Sequence, residues 1–185
     1  MGAPQVKAET YTYADYLSWD DGERYELIHG VVYNMSPALT RRHQQVLGKL
    51  FQAVAGITDR GPCETYVAPF DVRFTADELT DTVVQPDISV YCDPTALDDR
   101  GAIGAPDLVI EILSPSTSHK DTTQKLALYE ARGVREYWIV NADAPWVMVY
   151  RGDEGRYRKP DYYRVGESVR SDVLGGAEIE LSGWL

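Results

Sequence analysis

The segment from residue 106 to residue 140 constrains the fold most, because it carries two apolar stretches separated by a helical one. The first, PDLVIEIL at 106–113, is apolar on both faces, which is typical of a central strand covered on both sides. The helical stretch ends at Gly133, and EYWIV at 136–140 follows directly. This order favours a right-handed crossover between parallel strands, with the helix on one face of the sheet. The sequence therefore predicts an α/β (α+β) fold, a mixed β-sheet flanked by helices.

The rest of the chain adds further strands and two helices to this prediction. A long helix is indicated by TRRHQQVLGKLFQAVAG, whose apolar residues recur at helical spacing on one face. The other predicted elements are a short helix at 13–19, the strands RYELI and VVYNM turned at His29-Gly30, and strands at 66–74, 83–91, 146–150 and 177–181. We find no linker, so we expect one domain over 1–185 with a flexible segment at 1–12.

Two carboxylates lie inside strand-like stretches, where an unpaired charge is costly. Asp87 lies on the polar face of VVQPDISVY, and Glu111 lies within PDLVIEIL. If the two strands are neighbours, the carboxylates converge and repel each other unless a proton or a cation lies between them. Such hard oxygen ligands suit Mg²⁺ or Mn²⁺.

A lysine on the following helix completes this set. Lys125 comes 14 residues after Glu111, which is close enough for a helix packed on the sheet to return its ammonium to the carboxylates. A metal ion with an adjacent lysine supplies an activated water and stabilises charge on a phosphoryl group, which indicates phosphodiester hydrolysis. The alternative from spacing alone is that each carboxylate forms a structural ion pair and that Lys125 is an ordinary exposed lysine.

The net charge of −11 opposes nonspecific attraction to a polyanion and so counts against a nuclease without excluding it. The segment 151–164 is locally basic, although a solvated hairpin surface is the favoured explanation. No apolar stretch approaches the length of a membrane span, and the first residues lack the apolar core of a signal peptide, so we expect a cytoplasmic protein without a membrane partner. Cys63 and Cys92 are interpreted as small buried apolar residues rather than as a disulfide.

The strings RYELIHGVVYNMSP, VVQPDISV, PDLVIEILSPST and KLALYEARGVREYWIV resemble the Uma-two family of restriction endonucleases, within the PD-(D/E)XK nuclease superfamily. The resemblance extends from about residue 13 to the end of the chain. It implies a restriction-endonuclease-like fold and a hydrolase that cleaves DNA with Mg²⁺ or Mn²⁺.

The resemblance also implies roles for individual residues. Asp87 and Glu111 match the two metal-binding acids, and Glu26 in YELIHG matches an additional acid from the N-terminal part. The superfamily places a lysine two residues beyond the second acid, where this chain has Leu113. Either Lys125 replaces that lysine from the helix, or cleavage is impaired; we favour the first. The predicted catalytic residues are therefore Asp87, Glu111, Lys125 and Glu26.

Two further residues are candidates for supporting roles. His43 precedes the apolar face of the long helix, so a hydrogen-bonded packing role is favoured over that of a catalytic base. Gln85 could orient the attacking water beside Asp87 or serve only in the sheet. Ser114, Ser116 and Thr117 are better explained as helix caps than as nucleophiles.

These observations leave three hypotheses about function. The first is a Mg²⁺-dependent DNA endonuclease, and the second is a noncatalytic binding or assembly module that retains the nuclease fold. The third is a metal-dependent hydrolase of a small phosphoester. Cutting both strands of a duplex usually requires two active sites, which favours a homodimer; a monomeric nickase is the competing expectation.

Overall fold

The computed structural model describes residues 10–35, 40–114 and 120–183. Its helical elements are α1 (Tyr13–Leu17), α2 (Arg41–Thr58), a π-helix (Lys120–Lys125) and the α-helix that continues it, α3 (Leu126–Arg132). The strands of the described ranges are β1 (Tyr25–Ile28), β2 (Val31–Asn34), β3 (Glu64–Val67), β4 (Val72–Arg73), β5 (Val83–Val84), β6 (Ile88–Tyr91), β7 (Leu97–Asp98), β8 (Gly101–Ile103), β9 (Leu108–Ile112), β10 (Glu136–Asn141), β11 (Trp146–Asp153), β12 (Arg156–Tyr157), β13 (Asp161–Arg164), β14 (Ser168–Ser171) and β15 (Ala177–Glu180).

The central sheet has the strand order β12-β11-β10-β9-β6-β3, and β13 also pairs with β11. Strands β9 and β10 are parallel, and the π-helix and α3 connect them. Gly133 ends α3 in the left-handed conformation, with φ 80°, which glycine adopts without the usual steric cost. The predicted strand-helix-strand unit with a parallel pair is therefore confirmed.

Helices cover both faces of this sheet, as expected for a central strand with two apolar faces. On one face, α2 packs its buried residues, among them Leu50 and Val54, against Ile110 of β9. On the other face, Tyr129 of α3 packs against Val109 and its neighbours. Every residue of β9 is buried, so Glu111 is held inside the protein on the α3 side. The mixed α+β architecture with flanking helices is confirmed.

A second sheet with the order β2-β1-β5-β4-β8-β7 carries Glu26 on β1. The hairpin between β1 and β2 turns at His29 and Gly30, which both have positive φ angles of 53° and 74°. Such a pair of residues matches the twist of a two-residue hairpin, and the predicted turn is confirmed. Glu26 is completely buried, so its carboxylate needs partners inside the protein.

Two predicted continuous strands are each divided between the two sheets. The expected strand at 66–74 forms β3 and β4, and the expected strand at 83–91 forms β5 and β6. Pro69 and Pro86 lie at the two breaks, and proline cannot donate a hydrogen bond within a ladder. The chain therefore passes from one sheet to the other at these positions, and Asp87 stands directly before β6.

Some predictions lie wholly or partly outside the described residues. Of the expected flexible segment 1–12, residues 1–9 are not described, while the Tyr11 N–H donates to Gly30 O at 3.0 Å and Thr12 caps α1. The capping roles of Ser116 and Thr117 also fall outside the described residues. Within the described ranges, no helix combines the length and the apolar character needed to cross a membrane.

The prediction that the cysteines are unpaired was wrong, because Cys63 and Cys92 form a disulfide. Strands β3 and β6 are antiparallel, and Glu64 lies opposite Tyr91. The flanking cysteines are therefore brought face to face, although they lie 29 residues apart in the chain. The distance between the two cysteines along the chain did not indicate the disulfide, because the sequence does not show that β3 pairs with β6.

Removing this disulfide is expected to lower the free energy of unfolding by about 3 kcal/mol, since it closes a loop of roughly thirty residues in the unfolded chain. Urea unfolding with and without reductant measures the effect. The double variant Cys63→Ala/Cys92→Ala is the control, and reductant is expected to leave its unfolding curve unchanged. Equal stability of the oxidised and reduced wild-type protein would contradict the prediction.

Candidate functional site

The ammonium of Lys125 lies at the centre of a buried cluster of charges. Its Nζ is 2.6 Å from Oε1 of Glu111 and 2.7 Å from Oε1 of Glu26. The Lys125 side chain is only 1% exposed. The structure thus joins three of the predicted site residues, from β9, β1 and the end of the π-helix. Because Glu26 and Glu111 belong to different sheets, Lys125 also links the two sheets.

A second lysine, which the sequence reasoning missed, contacts the same cluster. Lys120 Nζ lies 2.6 Å from Oε2 of Glu26 and 5.3 Å from the centre of the Tyr33 ring. Lys120 and Lys125 are five residues apart, a spacing at which an α-helix directs side chains to different sides. In the π-helix, with its i→i+5 hydrogen bonds, this spacing corresponds to about one turn. The wider helical turn therefore brings both ammonium groups to Glu26.

Tyr129 and Asp121 complete the cluster. The hydroxyl of Tyr129 donates to Oε1 of Glu111 at 2.9 Å. Tyr129 comes four residues after Lys125, a spacing that places both side chains on the same side of a helix, so the sequence contains a signal for this contact. Asp121 is buried, and its Oδ1 lies 3.8 Å from Lys125 Nζ.

Burial and the neighbouring carboxylates hold an unusual proton at this site. The pKa of Glu111 is raised to about 8, because burial and the charges of Asp121, Asp87 and Glu26 together outweigh the opposing effect of Lys125. Burial would likewise raise the pKa of Glu26, but Lys125 and Lys120 lower it below its ordinary value. Burial disfavours the charged form of Lys125, yet the surrounding carboxylates raise its pKa well above the ordinary value. At neutral pH, Lys125 and Glu26 are therefore charged, and the protonated form of Glu111 is favoured.

Asp87 lies beside Glu111 at the edge between β6 and β9. The register pairs Ile88 with Ile110, which places Asp87 opposite Glu111. Asp87 Oδ2 accepts a hydrogen bond from the Ile112 N–H at 2.8 Å. The carboxylate is thus fixed by the backbone of the strand that carries Glu111.

His43 holds the same carboxylate from α2. Its Nε2 lies 3.2 Å from Asp87 Oδ2 and 3.1 Å from Ile112 O. Both partner atoms are acceptors, so Nε2 carries the proton. Burial lowers the pKa of His43, but the hydrogen bond and the charge of Asp87 raise it further, and the net result is a rise. Thr40 fixes this helix end by accepting the His43 N–H at 3.1 Å.

The contacts of Gln85 lie away from Asp87. Its backbone N–H donates to Glu26 Oε1 at 2.9 Å, whereas its side-chain amide contacts Arg24, Tyr16 and Asp71. The structure therefore connects Gln85 to the cluster through its backbone. Its role in orienting a water beside Asp87 stays a prediction.

A family model described as "Putative restriction endonuclease", named Uma2, matches residues 13–182 of this chain. The chain belongs to the Uma2 family. It is 28% identical over 145 residues to an uncharacterized protein of Synechocystis sp., slr1290, covering 76% of this chain and 74% of that one.

A solved structure shares the fold of this Uma2 protein. It is the crystal structure of "a putative nuclease belonging to DUF820" from Anabaena variabilis, which aligns with a TM-score of 0.76 at 20% identity. The alignment covers 94% of this chain and 98% of that one. The restriction-endonuclease-like fold expected from the sequence is therefore confirmed.

The position where the superfamily pattern has a lysine is filled by an apolar residue in this Uma2 protein. Leu113 packs against the core on the α3 side, and its N–H donates to Val140 O at 2.8 Å. The ammonium that reaches Glu111 comes instead from Lys125, at the point where the π-helix passes into α3. The positive charge of Lys125 therefore lies beside Glu111, although the position of the lysine in the superfamily pattern is occupied by the apolar Leu113.

The described side chains of the site do not form a closed metal cage. Within the described residues, no group of three or more His, Cys, Asp or Glu side chains is placed to hold a metal. Asp87 and Glu111 could supply two carboxylates, and Mg²⁺ in proteins is commonly bound by one or two carboxylates with waters and substrate phosphates. The proton on Glu111 marks excess negative charge that a divalent cation would neutralise.

Proposed function

We propose that this protein is a Mg²⁺- or Mn²⁺-dependent endonuclease that hydrolyses phosphodiester bonds in DNA. The observation that carries the proposal is the position of the Lys125 ammonium, 2.6 Å from Glu111 and 2.7 Å from Glu26. The superfamily pattern has a lysine where this chain has Leu113. Lys125 supplies that positive charge next to the second acid, Glu111. Membership of the Uma2 family supports the same activity.

Each charged side chain has a role in this proposal. Asp87 and Glu111 would hold the metal ion, which supplies Lewis acidity and an activated water when bound. Lys125 stabilises negative charge that develops on the phosphoryl group, and Glu26 holds its ammonium in place. Tyr129 and His43 orient the two metal-binding carboxylates through their hydrogen bonds.

The basic segment 151–164 gives little support for a DNA-binding surface. Arg151 pairs with Asp161, and Arg158 donates to Asp153 at 2.9 Å. Arg151 also lies opposite Glu136, at the start of β10 and so at the far end of the parallel pair from Ile112. We therefore expect DNA to be held near the metal rather than by this segment.

Incubation of purified protein with supercoiled and with single-stranded DNA tests the proposal. Nicking is expected with Mg²⁺ or Mn²⁺, and Asp87→Asn is expected to reduce its rate by at least about a hundredfold, since it removes a charged metal ligand. The variant Asp59→Asn, which makes the same change at an exposed residue just after the end of α2, is the control. Absence of nicking with either metal, or undiminished nicking by Asp87→Asn, would contradict the proposal.

A second candidate, a noncatalytic binding or assembly module, is favoured by one observation. Lys125 is almost completely buried and already contacts two carboxylates, so it needs a rearrangement to reach a phosphate. Calorimetric titration with Mn²⁺ separates the candidates. Metal binding that Glu111→Ala abolishes supports the nuclease, whereas no metal binding supports the module.

The assembly state stays a prediction. If the protein cuts both strands of a duplex, we expect a homodimer with two sites; a monomer would favour nicking of one strand. Sedimentation of the protein with and without a short duplex, compared with its cleavage products, distinguishes the two.

A further inference from the structure

A cavity of about 390 Å³ lies next to the proposed catalytic cluster. Its lining includes Phe70, Asp71, Gln85 and Asp99, and we call it the Asp71 cavity. Gln85 joins it to the cluster, because its backbone N–H donates to Glu26 while its side chain borders the cavity. One residue therefore separates the cavity from an acid that holds Lys125. Its volume lies in the range of small-molecule sites.

Neighbouring side chains hold the carboxylate of Asp71 through only one of its two oxygens. Oδ1 accepts the Tyr16 hydroxyl at 2.9 Å and the Gln85 amide at 2.8 Å. The amide oxygen of Gln85 in turn accepts two hydrogen bonds from Arg24, at 2.8 and 3.0 Å. Among the described residues, none donates to Asp71 Oδ2. This oxygen is thus a fixed acceptor available to a ligand.

The backbone of Asp71 is fixed as well. The N–H of Ala102 donates to Asp71 O at 2.8 Å. Gly101, which has φ +127°, allows this approach, because a Cβ there would lie 2.2 Å from the same oxygen. Side chain and main chain therefore both hold the acceptor in one place, as a specific binding site requires.

The remaining lining indicates the kind of ligand. Phe70 supplies an aromatic surface and is itself stacked on Tyr66, with ring centres 4.2 Å apart. Arg100, which also lines the cavity, pairs with Glu78, and the nearby Arg73 donates to both oxygens of Asp98. An acidic, aromatic cavity suits a flat ring with hydrogen-bond donors and disfavours an anion.

We infer that the Asp71 cavity accepts a nucleobase that carries an exocyclic amino group, which donates to Asp71 Oδ2 while the ring contacts Phe70. The inference rests on the proposed nuclease function, because the base would belong to the strand at the catalytic cluster. Carboxylates accept from the amino group of cytosine in this way. Uracil instead presents a carbonyl oxygen at that position, and a carboxylate repels it.

Deoxycytidine and deoxyuridine form a matched pair of probes, because they differ in this group. We expect deoxycytidine, in an NMR titration without divalent metal, to shift the amide signals of Asp71 and Gln85 and to bind about tenfold more tightly than deoxyuridine. No DNA cleavage is involved, so this test and the nicking test can fail separately.

The variant Asp71→Asn sharpens the test. Its amide oxygen can still accept from Tyr16 and Gln85, which directs its amide nitrogen, a donor, toward the ligand. The preference for deoxycytidine is therefore expected to be lost or reversed. Asp99→Asn removes the same charge from the cavity lining and is expected to keep the wild-type preference.

Three results would overturn the inference. They are the absence of shifts with either nucleoside up to about 10 mM, equal binding of the two nucleosides, and the same preference in wild type and Asp71→Asn. Nicking activity of the wild-type protein would remain compatible with each of these results.

Discussion

Replacing Lys125 with methionine is expected to lower the free energy of unfolding by about 3–5 kcal/mol and to abolish DNA cleavage. Methionine has a similar length but no charge, so Glu26 loses the more deeply buried of its two cations. Removing one partner of a buried ion pair is costly because the other charge stays buried without compensation. Lys120 can compensate Glu26 only in part, since it contacts the other carboxylate oxygen. Urea unfolding at pH 7 measures the loss of stability, and nicking of supercoiled DNA measures activity.

Two further variants make this result specific. Lys49→Met removes an exposed lysine from α2 and is expected to change stability by less than about 0.5 kcal/mol. The double variant Lys125→Met/Glu26→Gln removes the charged carboxylate together with the cation and is expected to recover part of the loss, as coupled neighbours do. A Lys125→Met protein as stable as Lys49→Met would show that the buried cluster does not depend on this ammonium.

The sequence predicted the centre of the fold because a local pattern determined it. Residues 106–113 are apolar on both faces, and only a strand covered on both sides satisfies that pattern, so β9 and its parallel neighbour β10 were predictable. The division of the predicted strands 66–74 and 83–91 between the two sheets was not predictable. A proline indicates a break in a ladder, but the sequence does not say which sheet the chain joins after Pro69 or Pro86.

The site was predictable where side chains lie on regular elements. Glu111 was noticed because a carboxylate in an apolar strand needs a partner, and Lys125 because the crossover helix returns over that strand. Lys120 was missed because its contact with Glu26 depends on a π-helical turn, which no periodicity in the sequence indicates. The predicted catalytic roles of these residues await measurement.

The proton on Glu111 connects the structure of the cluster with the proposed metal site. The described cluster combines four buried or nearly buried carboxylates, those of Glu26, Asp87, Glu111 and Asp121, with two lysines. A proton at Glu111 relieves part of the repulsion among them. A metal ion at Asp87 and Glu111 would displace this proton, so metal binding is expected to strengthen as pH rises toward 8.

Replacing Glu111 with glutamine is expected to reduce cleavage by at least about a thousandfold, because glutamine lacks the charge that binds the metal. The same change is expected to preserve the fold, since glutamine has the shape and neutrality of a protonated glutamate. Its carbonyl oxygen can still accept from Lys125 and Tyr129. Glu111→Gln is therefore expected to be at least as stable as the wild-type protein at pH 7, in contrast to Lys125→Met.

The pH dependence of stability tests this explanation directly. The pKa of Glu111 is about 8 in the folded protein and 4.5 ordinarily, so the folded state binds the proton more tightly. Its stabilising contribution is complete below pH 4.5 and is lost as pH rises to about 8. Glutamine does not titrate, so the unfolding free energy of wild type minus that of Glu111→Gln is expected to fall between these pH values. Urea unfolding of both proteins at several pH values measures the difference, and a difference that stays constant between pH 4.5 and 8 would mean that Glu111 is ionised in the folded protein over this range.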